Sequence, residues 1–317
     1  ADLGSVTTRL DEVGNTDGAL SNRNLIINGA MQVAQRGTSS SALGLKYLVA
    51  DRFWTYGGAS GTIEQSTDAP DGFNYSLHWN RTNGGSMGTS VELTRQGYNP
   101  YGMLTYSMYV KGDFTSTALY FNFRNYSGGG ADSVPIVTHN SFGNYPTWTR
   151  VVLTVDCTGV VAHSNNKMLN IEFGGFPAGG KITGVQLEQG DTATPFEHRS
   201  YGDELARCQR YFERLTPTGI ADAFADGHFW SSSSAYGTLY WKPKRANPTI
   251  THGTASNYRA RSSGVSYTAS SVAVDDANSI GYGRLYMEVS GAPIGSGCWF
   301  SRASTTPLSN IDVDAEL

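Results

Sequence analysis

Charge is scarce in this chain of 317 residues: Asp, Glu, Lys and Arg together make up 16% of it. That is low for a free-standing cytosolic enzyme. The net charge is −4, and the Lys and Arg residues are dispersed, so no basic stripe for nucleic acid is built. Cysteine is rarer still. Cys157, Cys208 and Cys298 are odd in number, far apart and without a CxxC spacing. This argues against a disulfide framework or a zinc knuckle and leaves isolated small core residues. His139, His163, His198 and His228 show no metal-ligand spacing. No apolar run approaches the roughly 20 residues that span a bilayer, and no charged, apolar and small-residue signal opens the chain. Membrane insertion is not expected.

What the chain does have is aromatic side chains, 12% of the total, and 38 glycines. At 39% hydrophobic it can bury real cores, and its length suggests about two domains. Residues 1–23 stand apart. Leu3, Val6, Leu10 and Val13 fall at steps of three, four and three, an a/d seam whose Leu and β-branched positions lean away from two-stranded coils. Two heptads are not helical alone, so the seam implies partner chains, and a homotrimer is expected.

From Asn24 onward the period changes to two. Leu119, Phe121 and Phe123 alternate with Tyr120 and Asn122, and Leu104 to Val110 and Val151 to Val155 behave alike. Turn clusters such as Asn83-Gly84-Gly85 and Ala178-Gly179-Gly180 separate these runs. Strands at this spacing without intervening helices predict a jelly-roll β-sandwich over 24–199. One helix is expected over 200–216: Ser200 or Asp203 caps it, Leu205, Cys208, Phe212 and Leu215 form its apolar stripe, and Pro217 ends it. Alternation resumes from Ala235 to Trp241 and from Leu285 to Val289, which predicts a second, smaller β-sandwich over 217–317. The fold class is therefore all-β, with one short helix and a short N-terminal coiled coil.

Two motifs tempt and fail. Gly175 to Lys181 nearly spells a phosphate loop, but Ile182 replaces the hydroxyl residue and a strand follows where a helix is needed. Gly84-Gly85-Ser86-Met87-Gly88 has the spacing of a nucleophile elbow, yet Thr89 to Thr94 reads as a strand, where an elbow needs a helix. Carboxylates are scattered, and nothing selects one pair for glycoside hydrolysis. No enzyme is expected.

Three further stretches occur together: Asn24-Leu25-Ile26-Ile27-Asn28-Gly29-Ala30-Met31 to Gly37 followed by Ala50-Asp51-Arg52-Phe53-Trp54; Val185-Gln186-Leu187-Glu188-Gln189-Gly190 with Ala193 to Glu197; and Glu204 to Phe212. This set, with the ending Ile311 to Leu317, resembles the receptor-binding tail-fibre and appendage proteins of bacteriophages, which carry a jelly-roll domain similar to carbohydrate-binding modules. The likeness covers roughly residues 24–215 well and the rest loosely. It implies a virion appendage that meets a bacterial cell-surface polysaccharide and other virion tail proteins, outside the cell on contact with the host. A surface-glycan depolymerase and a purely structural virion adaptor are the alternatives. Related modules hold a structural calcium between their first and last strands, where Asn28 and Glu188 would supply oxygens. Ala30-Met31 stand where those modules carry an acidic residue, which weighs against calcium.

Sugar binding stacks an aromatic ring on the C–H face of a pyranose, with amides and carboxylates on its hydroxyls. The loop Tyr98-Asn99-Pro100-Tyr101 and the rings of Trp79 and Trp54 are the expected contacts, against the ordinary preference of sandwich tryptophans for the core. Of Phe53 and Trp54, which point to opposite faces, Phe53 is expected inside. Gly29 is expected to take the positive φ of an Asn-Gly turn. Trp230, Tyr236, Trp241, Tyr258 and Trp299 offer a competing set of rings in the second domain.

Overall fold

A computed structural model describes residues 23–41, 43, 46–58, 60–93, 102–124, 134–139, 142–158, 168–216, 222–303 and 310–316. The chain divides into two compact units, one reaching Leu205 and one spanning Ala206–Glu316. Leu3, Val6, Leu10 and Val13 lie outside the described residues. No described helix is long and apolar enough to cross a membrane.

The first unit is a jelly-roll sandwich of two six-stranded antiparallel sheets. One sheet runs β1 (Ser39–Ser40), β4 (Ser60–Ser66), β5 (Ser76–Asn83), β12 (Gly180–Gln189), β7 (Met103–Asp113) and β10 (Asn144–Asp156). The other runs β2 (Lys46–Tyr47), β3 (Phe53–Tyr56), β6 (Ser86–Glu92), β11 (Met168–Gly174), β8 (Ala118–Arg124) and β9 (Val134–His139). The period-two residues meet between the layers: Leu104, Tyr106, Met108 and Val110 from one side, Leu119, Phe121, Phe123, Ile171 and Phe173 from the other.

The recurring motifs converge on one seam. The Asn24 side chain donates to the Val185 carbonyl (3.0 Å) and accepts the Leu187 N–H (3.1 Å), tying the entering chain to β12. Arg199 donates to the carbonyls of Ile26 and Asn24 and pairs with Glu197 (3.2 Å) and Glu204 (3.5 Å). The Asn28 N–H donates to Glu204 (2.7 Å). The turn differs from the expected one. Asn28 itself takes the positive φ of 62°, whereas Gly29 is required by space: a Cβ there would lie 2.0 Å from the Val185 carbonyl oxygen.

The helix is shorter than its apolar stripe implies. α1 (Tyr201–Gln209) is capped by Ser200, whose Oγ accepts the Asp203 N–H (3.1 Å). Leu205 and Cys208 lie on it, but Phe212 and Leu215 do not. Phe212–Leu215 is β13, antiparallel to β22 (Ile311–Asp314), with Arg214 bonded to Asp312 at 2.7 and 2.6 Å. Phe212 and Leu215 sit three residues apart, a step that satisfies the helical period although the run is extended. Ladder pairing with β22 overrides local periodicity here.

The second unit has two layers. β13, β22 and β16 (Thr249–His252) form a three-stranded sheet. A seven-stranded antiparallel sheet runs β18 (Val265–Thr268), β17 (Tyr258–Ser262), β21 (Gly297–Arg302), β14 (Ala223–Ser231), β15 (Ser234–Tyr240), β20 (Tyr282–Glu288) and β19 (Ser271–Asp275). Phe229, Leu239, Leu285, Met287, Phe300 and Val313 fill the space between the layers. Every second residue on the opposite side of the larger sheet therefore faces outward.

Candidate functional site

The outward face of the seven-stranded sheet carries an open aromatic ladder. Adjacent strands β15 and β20 hold near-identical pentapeptides, Tyr236-Gly237-Thr238-Leu239-Tyr240 and Tyr282-Gly283-Arg284-Leu285-Tyr286. Paired antiparallel, they place Tyr236 opposite Tyr286, Thr238 opposite Arg284 and Tyr240 opposite Tyr282. Leu239 and Leu285 turn inward, so the tyrosines turn out. The two tyrosine pairs stand about 13 Å apart along the strands.

Trp230 extends the ladder from β14. Its ring is 70% exposed and meets Tyr236 edge-on at 6.5 Å. Tyr236 and Tyr286 lie 5.1 Å apart at 42°, and the His228 ring is 6.4 Å from Trp230. Tyr240 is also 70% exposed. Polar groups lie among the rings. The Arg284 guanidinium sits 5.8 Å over Tyr236 and pairs with Asp275 (3.3 Å) and Asp276 (3.8 Å). The Tyr286 hydroxyl donates to Glu288 (3.1 Å); burial and then that carboxylate push its pKa up, so it stays a donor. An exposed tryptophan beside tyrosines, donors and acceptors suits a flat, hydroxylated, partly apolar ligand.

Trp79 and Trp54, expected from sequence as contacts, lie elsewhere. Trp79 is fully buried in the sandwich core, 5.7 Å from the stacked Phe176 ring, and cannot meet a ligand. Its strand alternation puts it inward with Leu77. Trp54 does point to the outer side of its sheet, yet it is only 6% exposed: its ring packs over Gly88 and its N–H donates to Ser90 Oγ (3.1 Å). Phe53 is inside as expected, but both rings are buried. Tyr98, Asn99 and Tyr101 lie outside the described residues. Of the rings in the second unit, Trp241 and Tyr258 are core, while Trp230, Tyr236 and Trp299 stand on the outward face.

Asn28 and Glu188 are not arranged as metal ligands. The Asn28 side-chain oxygen accepts the Val33 N–H (2.9 Å), and its amide donates to the carbonyls of Val33 and Asp51. The Glu188 carboxylate accepts the Thr194 N–H (3.1 Å) and hydroxyl. Among the described residues no group of three or more His, Cys, Asp or Glu side chains is placed to hold a metal ion.

The outer face of the first unit's sheet at β12, β7 and β10 is occupied by its own chain. Asp68 accepts from Lys181 (2.6 Å), Lys111 (3.0 Å) and the Trp148 N–H (3.0 Å), and these cations hold its carboxyl well below the usual range. Phe73 packs on Tyr109 and Phe196 at 5.3 and 5.0 Å.

No protein-family model matches the chain, and no curated protein matches it. Solved structures resemble parts of it. The enzymatically active domain of tailspike protein 4 of bacteriophage CBA120 is 16% identical over 52% of this chain and 21% of its own, with a TM-score of 0.35. The family 30 carbohydrate-binding module of a cellulosomal cellulase from Clostridium thermocellum is 13% identical over 54% of this chain and 98% of its own, at 0.32. The module TmCBM61, in complex with β-1,4-galactotriose, is 14% identical over 52% and 98%, at 0.29. The chain thus spans about a fifth of the tailspike chain it matches. At such identities and scores no residue role passes from these proteins to this one.

Proposed function

We propose that this protein is a virion appendage component, of a tail fibre or tail tip, that binds a bacterial cell-surface polysaccharide for host adsorption and leaves it intact. The observation that carries the binding half is the ladder from Trp230 through Tyr236 and Tyr286 to Tyr240 and Tyr282, open to solvent in a protein that buries Trp79 and Trp54. The rings are contiguous: Trp230, Tyr236, Tyr286, Tyr240 and Tyr282 share one sheet face, unlike apolar residues scattered singly over a surface. Among the described residues the ladder lies open along the sheet, so it suits an internal stretch of a chain-like glycan rather than a single terminal sugar. The appendage half rests on the motif set from Asn24 to Phe212, whose residues knit the jelly-roll seam and thus mark a scaffold.

Asp226 is level with Thr238, and Glu288 with Ser234 two strands away, which separates their backbone positions by about 16 Å, beyond the roughly 5–10 Å of glycosidase pairs. The closer pair on this face, Asp275 and Asp276, is engaged by Arg284 at 3.3 and 3.8 Å, which supports holding over cutting. Three copies joined at the Leu3–Val13 seam would turn weak contacts into avidity, because later contacts are intramolecular. The test is binding of the chain to a panel of bacterial surface polysaccharides, with reducing ends counted afterwards. Binding that Trp230→Ala weakens about twentyfold, without new reducing ends, is expected. Turnover would establish the depolymerase, and absence of binding to every polysaccharide of the host would leave the adaptor.

A further inference from the structure

The same outward face carries an unused pair of cations three strands from the tyrosines. Arg259 and Arg261 alternate with the buried Ala260 on β17, so both side chains leave the sheet on the outer side, about 7 Å apart. Directly across, Arg261 faces Trp299 and Arg259 faces Ser301 on β21. Neither arginine has an ion-pair or hydrogen-bond partner among the described residues. This sets them apart from Arg199, Arg214 and Arg284, each of which is paired with a carboxylate. The Nε of Arg259, the Nε of Arg261 and the Oγ of Ser301 are all shielded from water without a hydrogen-bond partner, and Ser301 is fully buried.

A shielded donor without an acceptor is costly, so three on neighbouring positions of one face mark a place built for an acceptor that arrives from outside. Guanidinium forks fit the two oxygens of a carboxylate or phosphate ester, and the donor set holds no acceptor but a hydroxyl. Asp226, on the far side of Trp299 from Arg261, is the nearest carboxylate in register on the described outer face. Two strand spacings, about 10 Å, separate it from Arg261, which is near the screening length of physiological salt. Ser266 and Thr268, opposite the arginines on β18, are uncharged.

We propose that Arg259, Arg261 and Ser301, beside the Trp299 ring, form a subsite for an anionic substituent of the glycan. The ligand of this face is then an acidic polysaccharide bearing uronate carboxylates or phosphate esters. The proposal rests on the reading of this face as a glycan platform, from which the subsite lies about 14 Å across three strands.

Two probes test it on the full chain. The first compares polygalacturonate with its methyl-esterified, neutral form by calorimetry. The acidic polymer is expected to bind about tenfold tighter or more, an advantage removed by Arg259→Gln or Arg261→Gln and by raised salt. Unchanged melting temperatures of the two variants exclude misfolding. The second follows the arginine Nε–H resonances while galacturonate or inorganic phosphate is added, and shows whether carboxylate or phosphate is preferred. Equal affinity for both polymers, unaffected by either substitution, together with unmoved Nε–H resonances, overturns the subsite even if Trp230→Ala still weakens binding. Shifts of the two arginine resonances with no polymer bound would keep the anion subsite and defeat the glycan platform instead.

Discussion

Replacing Trp230 by Ala should weaken binding and leave the fold intact, whereas replacing Trp79 should destabilise the fold and spare the binding face. Trp230 exposes 70% of its surface and meets the rings of Tyr236 and His228 edge-on. A tryptophan carries roughly 150–250 Å² in all, so a sugar stacked on one face covers about 70 Å² of it. At about 25 cal/mol per Å² this is about 1.8 kcal/mol, or close to a twentyfold loss of affinity. The stability loss is confined to these edge contacts, about 1–2 kcal/mol. Trp79 is fully enclosed and stacked on Phe176, so Trp79→Ala opens a cavity worth about 3–5 kcal/mol. In a unit of this size that lowers Tm by about 10 °C. Binding isotherms on an acidic and a neutral polysaccharide, with melting curves of both variants, decide the matter. If Trp230→Ala binds like the parent while a folded Trp79→Ala does not, the site lies in the jelly roll and the reasoning about the open face fails.

Three other outcomes follow from single contacts. Gly29→Ala should destabilise the jelly roll by several kcal/mol, because the new Cβ meets a backbone oxygen of β12 at 2.0 Å; a melting curve within a degree of the parent would contradict this. Lys244 is sealed in the second unit with its three donors on Glu213 (2.8 Å) and the carbonyls of Gln209 and Lys242. Lys244→Met should therefore cost about 3–5 kcal/mol in urea unfolding, and adding Glu213→Gln should restore much of it. Burial pushes the Cys157 and Cys298 thiols up to about 11 from an ordinary 9.0. The folded state holds these protons more tightly than the unfolded chain, so their contribution is complete below pH 9 and declines as pH rises toward 11. Urea midpoints should fall across that window, and the double Cys157→Ala/Cys298→Ala variant should fall less steeply.

How far the sequence reaches depends on which residues are asked. Alternation in Leu104–Val110 and Leu119–Phe123 is a direct record of two layers, because each inward side chain fills the space left by its partner sheet. The limit of the helix was not legible: Cys208, Phe212 and Leu215 keep a helical step, and only the arrival of Ile311–Asp314 from nearly 100 residues away makes Phe212–Leu215 a strand. The burial of two candidate contacts escapes the sequence for a similar reason. Trp79 and Trp54 lie in polar-looking stretches, yet burial depends on what the opposite layer and the neighbouring strand supply, here Phe176 and Gly88. Tyr240, Tyr282, Tyr286 and Arg284 were missed, although a signal was present: the pentapeptide Tyr-Gly-x-Leu-Tyr occurs twice, at 236–240 and 282–286.

That duplication has a physical consequence. Two copies of one alternating motif, paired antiparallel about Thr238 and Arg284, place a tyrosine pair at each end of the paired segment. Gly227 and Gly237, paired across β14 and β15, leave room beneath for the Phe300 ring, which a Cβ at either position would meet at 2.6 or 2.5 Å. The core ring can rise against the sheet there while the tyrosines of the segment point outward. A scaffold that seats its apolar side with glycine and leucine frees tyrosine, tryptophan and arginine for the other side. Enlarging Gly237 to Val should therefore disturb the ladder from behind, weakening ligand binding together with the packing of Phe300, although residue 237 never faces the ligand.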